Sequence, residues 1–218
     1  MSQPFTLLFR LEGPLQSWGY RSRFDYRDTS LEPTRSGVIG LICAAMGLAR
    51  EDDISRFGGI RMGVRIDREG RPERDFHTAL EVIKADGSSR DTVVSHRDYL
   101  ADAIFTVGLE SDDWELLKSI EASLRNPRWP LCLGRKSCCL SEHPFSASQP
   151  AVVQAAMKDA LEGAAFSVRC QTAKGVLEYR LVLETPDGER TQQDWPLSFR
   201  ERRFKPRTIQ TSFGGGKG

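Results

Sequence analysis

"PTRSGVIGLICAAMGL", residues 33–48, decides how the rest of the chain is read. Its apolar residues Val38, Ile39, Leu41, Ile42, Ala45 and Met46 fall on several faces of a helix, so the helix is surrounded by protein. Thr34 or Ser36 supplies the N-cap, and Gly47 with the acidic "REDD" closes the other end. Upstream, "TLLFRLEG" (6–13) is apolar enough for a central strand and stops at Gly13-Pro14. Downstream, "IRMGVRID" (60–67) alternates. Ile60, Met62, Val64 and Ile66 point one way and the arginines and Asp67 the other, as in a half-buried strand. The frame is strand, helix, strand.

The pattern continues outward. "REGRPER" (68–74) is a turn, and "FHTALEVIK" and "DTVVSHRDYL" flank the hairpin signal Asp86-Gly87. That hairpin lacks a consistent apolar face, so it is expected to project from the body. "AIFTVGLE" (103–110) is a second core strand, and "SDDWELLKSIEASLRN" a helix with the stripe Trp114, Leu117, Ile120 and Leu124. "PLCLGRKSCCL" (130–140) reads as a last strand. The order is that of a ferredoxin-like α+β domain, related to RRM modules, with the hairpin inserted between its second and third strands. Residues 1–145 are read as this body, with the hairpin at about 74–100. Residues 146–218 are read as a small C-terminal β-rich unit: a short helix in "SQPAVVQAAMKDALEGA", then strands in "AFSVRCQ", "GVLEYRLVLET" and "WPLSFRERRFK", then a flexible tail, "GGGKG".

With 218 residues the chain is long enough to bury a core without disulfides or metals. It contains no apolar run of membrane-spanning length and no signal-peptide layout at its start, which predicts a soluble, cytoplasmic protein without membrane contact. The five cysteines (43, 132, 138, 139 and 170) include no CxxC pair, and three histidines do not complete a zinc set with them. They are expected as buried or partly buried thiols, and no metal or cofactor is expected. Net charge is +1, from 31 basic and 30 acidic residues, which argues against a generic nucleic-acid coat. The cations nevertheless cluster: Arg125, Arg128, Arg135 and Lys136 stand without an acid between them, and Arg200, Arg202, Arg203, Lys205 and Arg207 stand against Glu201 alone.

Several residues carry candidate chemistry. A helix mouth offers unpaired N–H groups and positive potential to a phosphate. There Gly37 allows close approach, Arg35 can fork onto phosphate oxygens, and Thr34 and Ser36 add hydroxyls. The bland alternative is a capped core helix. "LGRKSC" brings Arg135, Lys136 and Ser137 to a strand end; in a strand the two cations face opposite ways, and Arg135 fits phosphate better. "LQSWGYRSRFDYR" alternates Trp18, Tyr20, Phe24 and Tyr26 with Arg21, Arg23 and Arg27, suited to stacking on bases, although Trp18 equally fits a core position. Gln16 beside Trp18, and His77 and Arg97 in the hairpin, complete the set.

Three of these segments, "LEGPLQSWG" (11–19), "PTRSGVIGLICAAMGL" (33–48) and "LGRKSC" (133–138), resemble the CasD (Cas five) family of subtype I-E CRISPR surveillance complexes. "DFHTA" (75–79) and "YLADAIFTVGLE" (99–110) support the likeness, which covers about the first 145 residues. The resemblance implies a RAMP-type, RRM-related body with a protruding thumb hairpin. It implies a subunit that grips the 5′ handle of CRISPR RNA and caps a Cascade complex active in antiviral DNA surveillance. Its implied neighbours are the backbone subunit CasC and the large PAM-recognising subunit CasA, with target DNA reached only indirectly. It implies no catalysis. In a related subtype, however, a member of the family cuts precursor RNA without metal, and His77, His96, Tyr99 and Lys84 offer the residue types for such an endoribonuclease.

Overall fold

Leu7, Phe9 and Leu11 alternate along β1 (Phe5–Glu12) and are buried against helices. In this computed structural model, which describes residues 3–19, 25–145, 150–170 and 176–217, β1 belongs to a seven-stranded antiparallel sheet. After β1 come the short β2 (Leu15–Gln16) and β3 (Tyr26–Arg27), helix α1 (Arg35–Met46) and β4 (Arg61–Arg68). The long β5 (Arg71–Ile83) and β6 (Arg90–Ala101) precede β7 (Ile104–Ser111) and α2 (Trp114–Arg125). The chain then forms β8 (Val152–Gln154), α3 (Met157–Gly163), β9 (Val176–Glu184), β10 (Arg190–Ser198) and β11 (Arg203–Lys217). The sheet order is β10-β11-β9-β4-β7-β1-β8, with β1 paired to β7 from Phe5↔Ser111 to Glu12↔Ile104.

Helices cover both faces. On one, α1 and α2 bury Val38, Ile39, Ile42, Leu117, Ile120 and Leu124 together with Met62, Val64 and Ile66 of β4. On the other, α3 rests on Gly63 and Gly108, close enough that a Cβ at either would press on Leu161. This corrects the half-buried reading of residues 60–67. Arg65 is 0% exposed. It donates to Asp67 at 2.6 Å and to the Leu161 and Ala164 carbonyls at 2.6 and 2.7 Å, beneath the Phe166 ring. An arginine at an outward strand position reads as solvated, but here a third helix roofs it. Trp114 also departs from its expected stripe: it is 38% exposed and meets Phe5 edge-on.

Two further expectations change. "PLCLGRKSCCL" forms no strand but a tight turn held by one bridge, Cys132↔Cys139, and β8 takes the sheet edge beside β1. The residues after 145 also do not form a separate unit, because β9 pairs with β4 and carries β11 and β10 into the same sheet. The "GGGKG" tail is strand as far as it is described, with Gly214, Gly215 and Gly216 paired to β9. "AFSVRCQ" yields a 3-10 turn at Val168–Cys170 in place of a strand. The cysteines are free; Cys43, Cys138 and Cys170 are buried, and Cys139 is exposed. No helix among the described residues is long and apolar enough to cross a membrane.

Candidate nucleic-acid interface

The mouth of α1 is already filled by the protein's own anion. Thr34 is the N-cap and accepts the Gly37 N–H at 3.2 Å. The Arg35 N–H donates to Asp194 Oδ2 at 2.7 Å. Asp194 is 1% exposed and also accepts two bonds from Arg207, at 2.6 and 3.0 Å. The Arg35 guanidinium is buried as well. It donates to Glu184 at 3.2 Å and to the Phe57 carbonyl at 3.1 Å, and lies 3.8 Å over the Trp195 ring. Burial pushes Arg35 down from its ordinary pKa, and burial pushes Glu184 up against the pull of Arg35 and Arg207. The expected phosphate seat on Thr34 and Arg35 is therefore corrected. A carboxylate supplied 159 residues along the chain takes the place an incoming anion would need. Ser36, half-buried, is the most accessible of the polar pair Thr34 and Ser36.

Gln16 and Trp18 are interior too, at 0% and 1% exposure. Gln16 donates to the Ala103 carbonyl at 2.9 Å and accepts the Trp18 indole N–H at 3.0 Å. A Cβ on Gly37 would stand 2.8 Å from the Trp18 ring, so only glycine lets helix and indole meet. Trp18 is thus the hub that fixes the loop to the helix; it offers no face to a base. Tyr20, Arg21, Arg23 and Phe24 lie outside the described residues.

What this interior supports is a cationic surface at the base of the β5–β6 hairpin. The hairpin pairs from Arg71↔Ala101 to Ile83↔Arg90, and β3 lies parallel to β6 with Arg27 opposite Arg97. The 134–137 turn docks on this base. Gly134 has φ +88°, and a Cβ there would fall 1.7 Å from the Ser17 carbonyl oxygen. Arg135 Nη2 donates to the Arg27 carbonyl at 2.7 Å, and its guanidinium lies 4.6 Å over the Tyr99 ring. Among the described residues its Nη1 has no hydrogen-bond partner. Lys136 and Ser137 are exposed. The two cations do diverge: Arg135 ties the turn to Arg27 and Tyr99, and Lys136 faces outward. Among the described residues, Arg27, Arg97, Arg135 and Lys136 have no ion-pair partner.

The hairpin's register sorts the remaining side chains. His77 lies opposite Ser95, on the face that carries Arg97 and Tyr99. His96 lies opposite Phe76, on the other face with Arg74 and Asp98. The two imidazoles therefore stand on opposite faces, and Lys84 sits in the distant turn with Asp91 at 3.9 Å. Tyr99 is 9% exposed under Arg135. These four residues do not converge on one point. The residues missed by sequence reading are Arg74, Phe76 and Asp98, while Tyr26, read as a stacking aromatic, is engaged by Asp98. Phe76, 63% exposed, meets His96 edge-on at 5.2 Å; its signal was an aromatic in an otherwise polar strand.

Tyr26 donates to Asp98 at 2.6 Å and Arg74 donates to the same carboxylate at 2.7 Å, locking β3 onto the hairpin. The Arg74 hydrogen bond is the main cause holding the Asp98 carboxyl below the ordinary aspartate range. Since the folded pKa is depressed, this lock stabilises the protein above the ordinary aspartate pKa, and the contribution is lost as pH falls through the folded value. Carboxyl NMR should show Asp98 titrating below the ordinary aspartate range, and Arg74→Ala should bring it back up.

A mixed α/β body with a large antiparallel sheet, a long exposed hairpin and a cationic turn at its base is the class that this geometry defines. The chain matches the family described as "CRISPR-associated protein (Cas_Cas5)" over residues 6–211. It belongs to that family. It is 34% identical over 154 residues to the "CRISPR system Cascade subunit CasD" of Escherichia coli (strain K12), a match covering 64% of this chain and 68% of the relative. A solved structure described as "Crystal structure of Cas protein" superposes with a TM-score of 0.76 at 40% identity, over 95% of this chain and 94% of the other. A chain of a "CRISPR RNA-guided surveillance complex" gives 0.78 at 33% identity, over 98% and 91%.

Proposed function

We propose that the protein is a non-catalytic subunit of a Cascade-type, CRISPR RNA-guided surveillance complex, and that the hairpin base and the 134–137 turn grip the 5′ handle of its RNA. One observation carries the reading: Arg27, Arg97, Arg135 and Lys136 gather around one hairpin base and, among the described residues, have no ion-pair partner. Cations held on a rigid β platform without a salt bridge suit a phosphate backbone, because no bonded carboxylate has to be displaced from them. The sheet supports a ferredoxin-like, RAMP-type description, since β8-β1-β7-β4 with α1 and α2 as crossovers reproduces that fold's strand order. In this reading β5–β6 is the thumb, and CasC-like and CasA-like subunits are the neighbours. The separation of His77 from His96 speaks against the endoribonuclease alternative.

The test uses assembled particles. Arg97→Ala with Lys136→Ala should weaken RNA retention. The dependence of log K on log salt should flatten by about 0.7 for each phosphate that is no longer neutralised, about 1.4 for the pair. An unchanged slope would overturn the assignment of those two cations. Incubation with repeat RNA in EDTA should yield no 2′,3′-cyclic phosphate ends; their appearance would instead establish a metal-independent nuclease.

A further inference from the structure

The turn that carries Arg135 and Lys136 is closed at its base by two cysteines. Cys132 and Cys139 oppose each other as an antiparallel bridge, and inside it the Leu133 N–H donates to the Cys138 carbonyl at 2.7 Å. That inner bond makes 132/139 a non-hydrogen-bonded pair, where opposed Cα atoms approach to about 4.5 Å. Disulfides span Cα separations of about 4.4–6.8 Å. Opposed residues also project from the same side of a ribbon, so the two thiols share a face. Neither is sealed from solvent: Cys132 is half-buried and Cys139 exposed, whereas Cys138 points inward at 1% exposure. Cys132 Sγ lies 3.5 Å from the Lys136 carbonyl oxygen, directly against the turn.

We infer that Cys132 and Cys139 are a redox-modification site, converted to an intrachain disulfide by a low-molecular-weight disulfide such as oxidised glutathione. The Cys139 thiolate attacks one sulfur of the oxidant, breaking its S–S bond and expelling one glutathione thiolate. The Cys132 thiolate then attacks the Cys139 sulfur of the mixed disulfide and expels the second. The two protein thiols give up two protons and two electrons, and the oxidant leaves as two glutathione molecules. Cys139 goes first because it is exposed, while burial, together with the neighbouring Cys139, pushes the Cys132 thiol up. The product ties down covalently a turn that is otherwise held by hydrogen bonds. This site stands on the geometry of the turn alone, whatever the turn binds.

Trypsin supplies a direct test, because it cuts after Arg135 and Lys136, between the two cysteines. The full chain is equilibrated with oxidised glutathione, alkylated at its remaining thiols and digested. The peptide ending at Arg135 and the one beginning at Ser137 should run as a single mass and separate on reduction. Cys138→Ser should keep that link, and Cys139→Ser should lose it. A link surviving in Cys139→Ser would overturn the inference, as would a stable glutathione adduct or unmodified thiols at 132 and 139. In the wild type, fragmentation of the linked peptide places the alkylated cysteine: alkylation on Cys138 supports the inference and alkylation on Cys139 overturns it, so a variant that fails to fold does not weaken the test.

Discussion

Arg35→Ala is expected to lower the free energy of unfolding by about 3 kcal/mol, the low end of the range for breaking a buried ion pair. The substitution takes one donor from Glu184, 8% exposed, leaving it the Met62 N–H at 3.4 Å, and one from the Phe57 carbonyl, which keeps the Ile60 N–H at 3.2 Å, and it removes the cation lying over Trp195. The cost stays at the low end because Arg207 still stands 3.6 Å from Glu184. A urea midpoint that falls at constant slope would register the loss. The penalty should also depend on pH. Burial already raises the Glu184 pKa, and without Arg35 it rises further. A carboxyl whose folded pKa exceeds its unfolded one contributes stability at low pH and loses it as pH climbs through the folded value. The variant should therefore be penalised less at about pH 5 than at about pH 8. An Arg35 variant with wild-type stability and weakened RNA retention would instead restore the phosphate role that the sequence suggested.

That suggestion failed for a physical reason. Periodicity reports on neighbours within a few residues, and β1, α1, β4, β7 and α2 were legible because each announces its own buried residues, the hairpin because Asp86-Gly87 announces its turn. Arg35 announces only a cation at a helix mouth. Its partners Asp194 and Glu184 arrive from 159 and 149 residues away, and no local pattern marks them. Arg65 and Asp67 failed in the same way: alternation put them on the open face of β4, and α3 closes that face from far along the chain. β8 spans three residues, too few to show a period, so the apolar "PLCLGRKSCCL" was given its place at the sheet edge. The hairpin candidates fared differently. Arg97 and His77 share a face of a ribbon whose turn signal, Asp86-Gly87, was explicit, and only the lock by Tyr26, Arg74 and Asp98 needed three dimensions.

Gly134→Ala is expected to disable the turn without removing any charge. A residue with a side chain at φ +88° pays about 1–3 kcal/mol of backbone strain, and the added Cβ would collide with the Ser17 carbonyl at 1.7 Å, so the turn must lift away. Lifting it breaks the bond from the Ser17 N–H to the Leu133 carbonyl, 3.0 Å, and draws Arg135 off the Arg27 carbonyl. Lys136→Ala provides the contrast, since Lys136 is exposed and its removal should weaken RNA retention while leaving stability unchanged. Gly134→Ala should lower both, and hydrogen exchange at the Ser17 amide should speed up only in that variant. Wild-type protection of this amide in Gly134→Ala would show that the turn can absorb a side chain in place. The cations around the hairpin base would then owe their arrangement to β3 and the hairpin rather than to the docked turn.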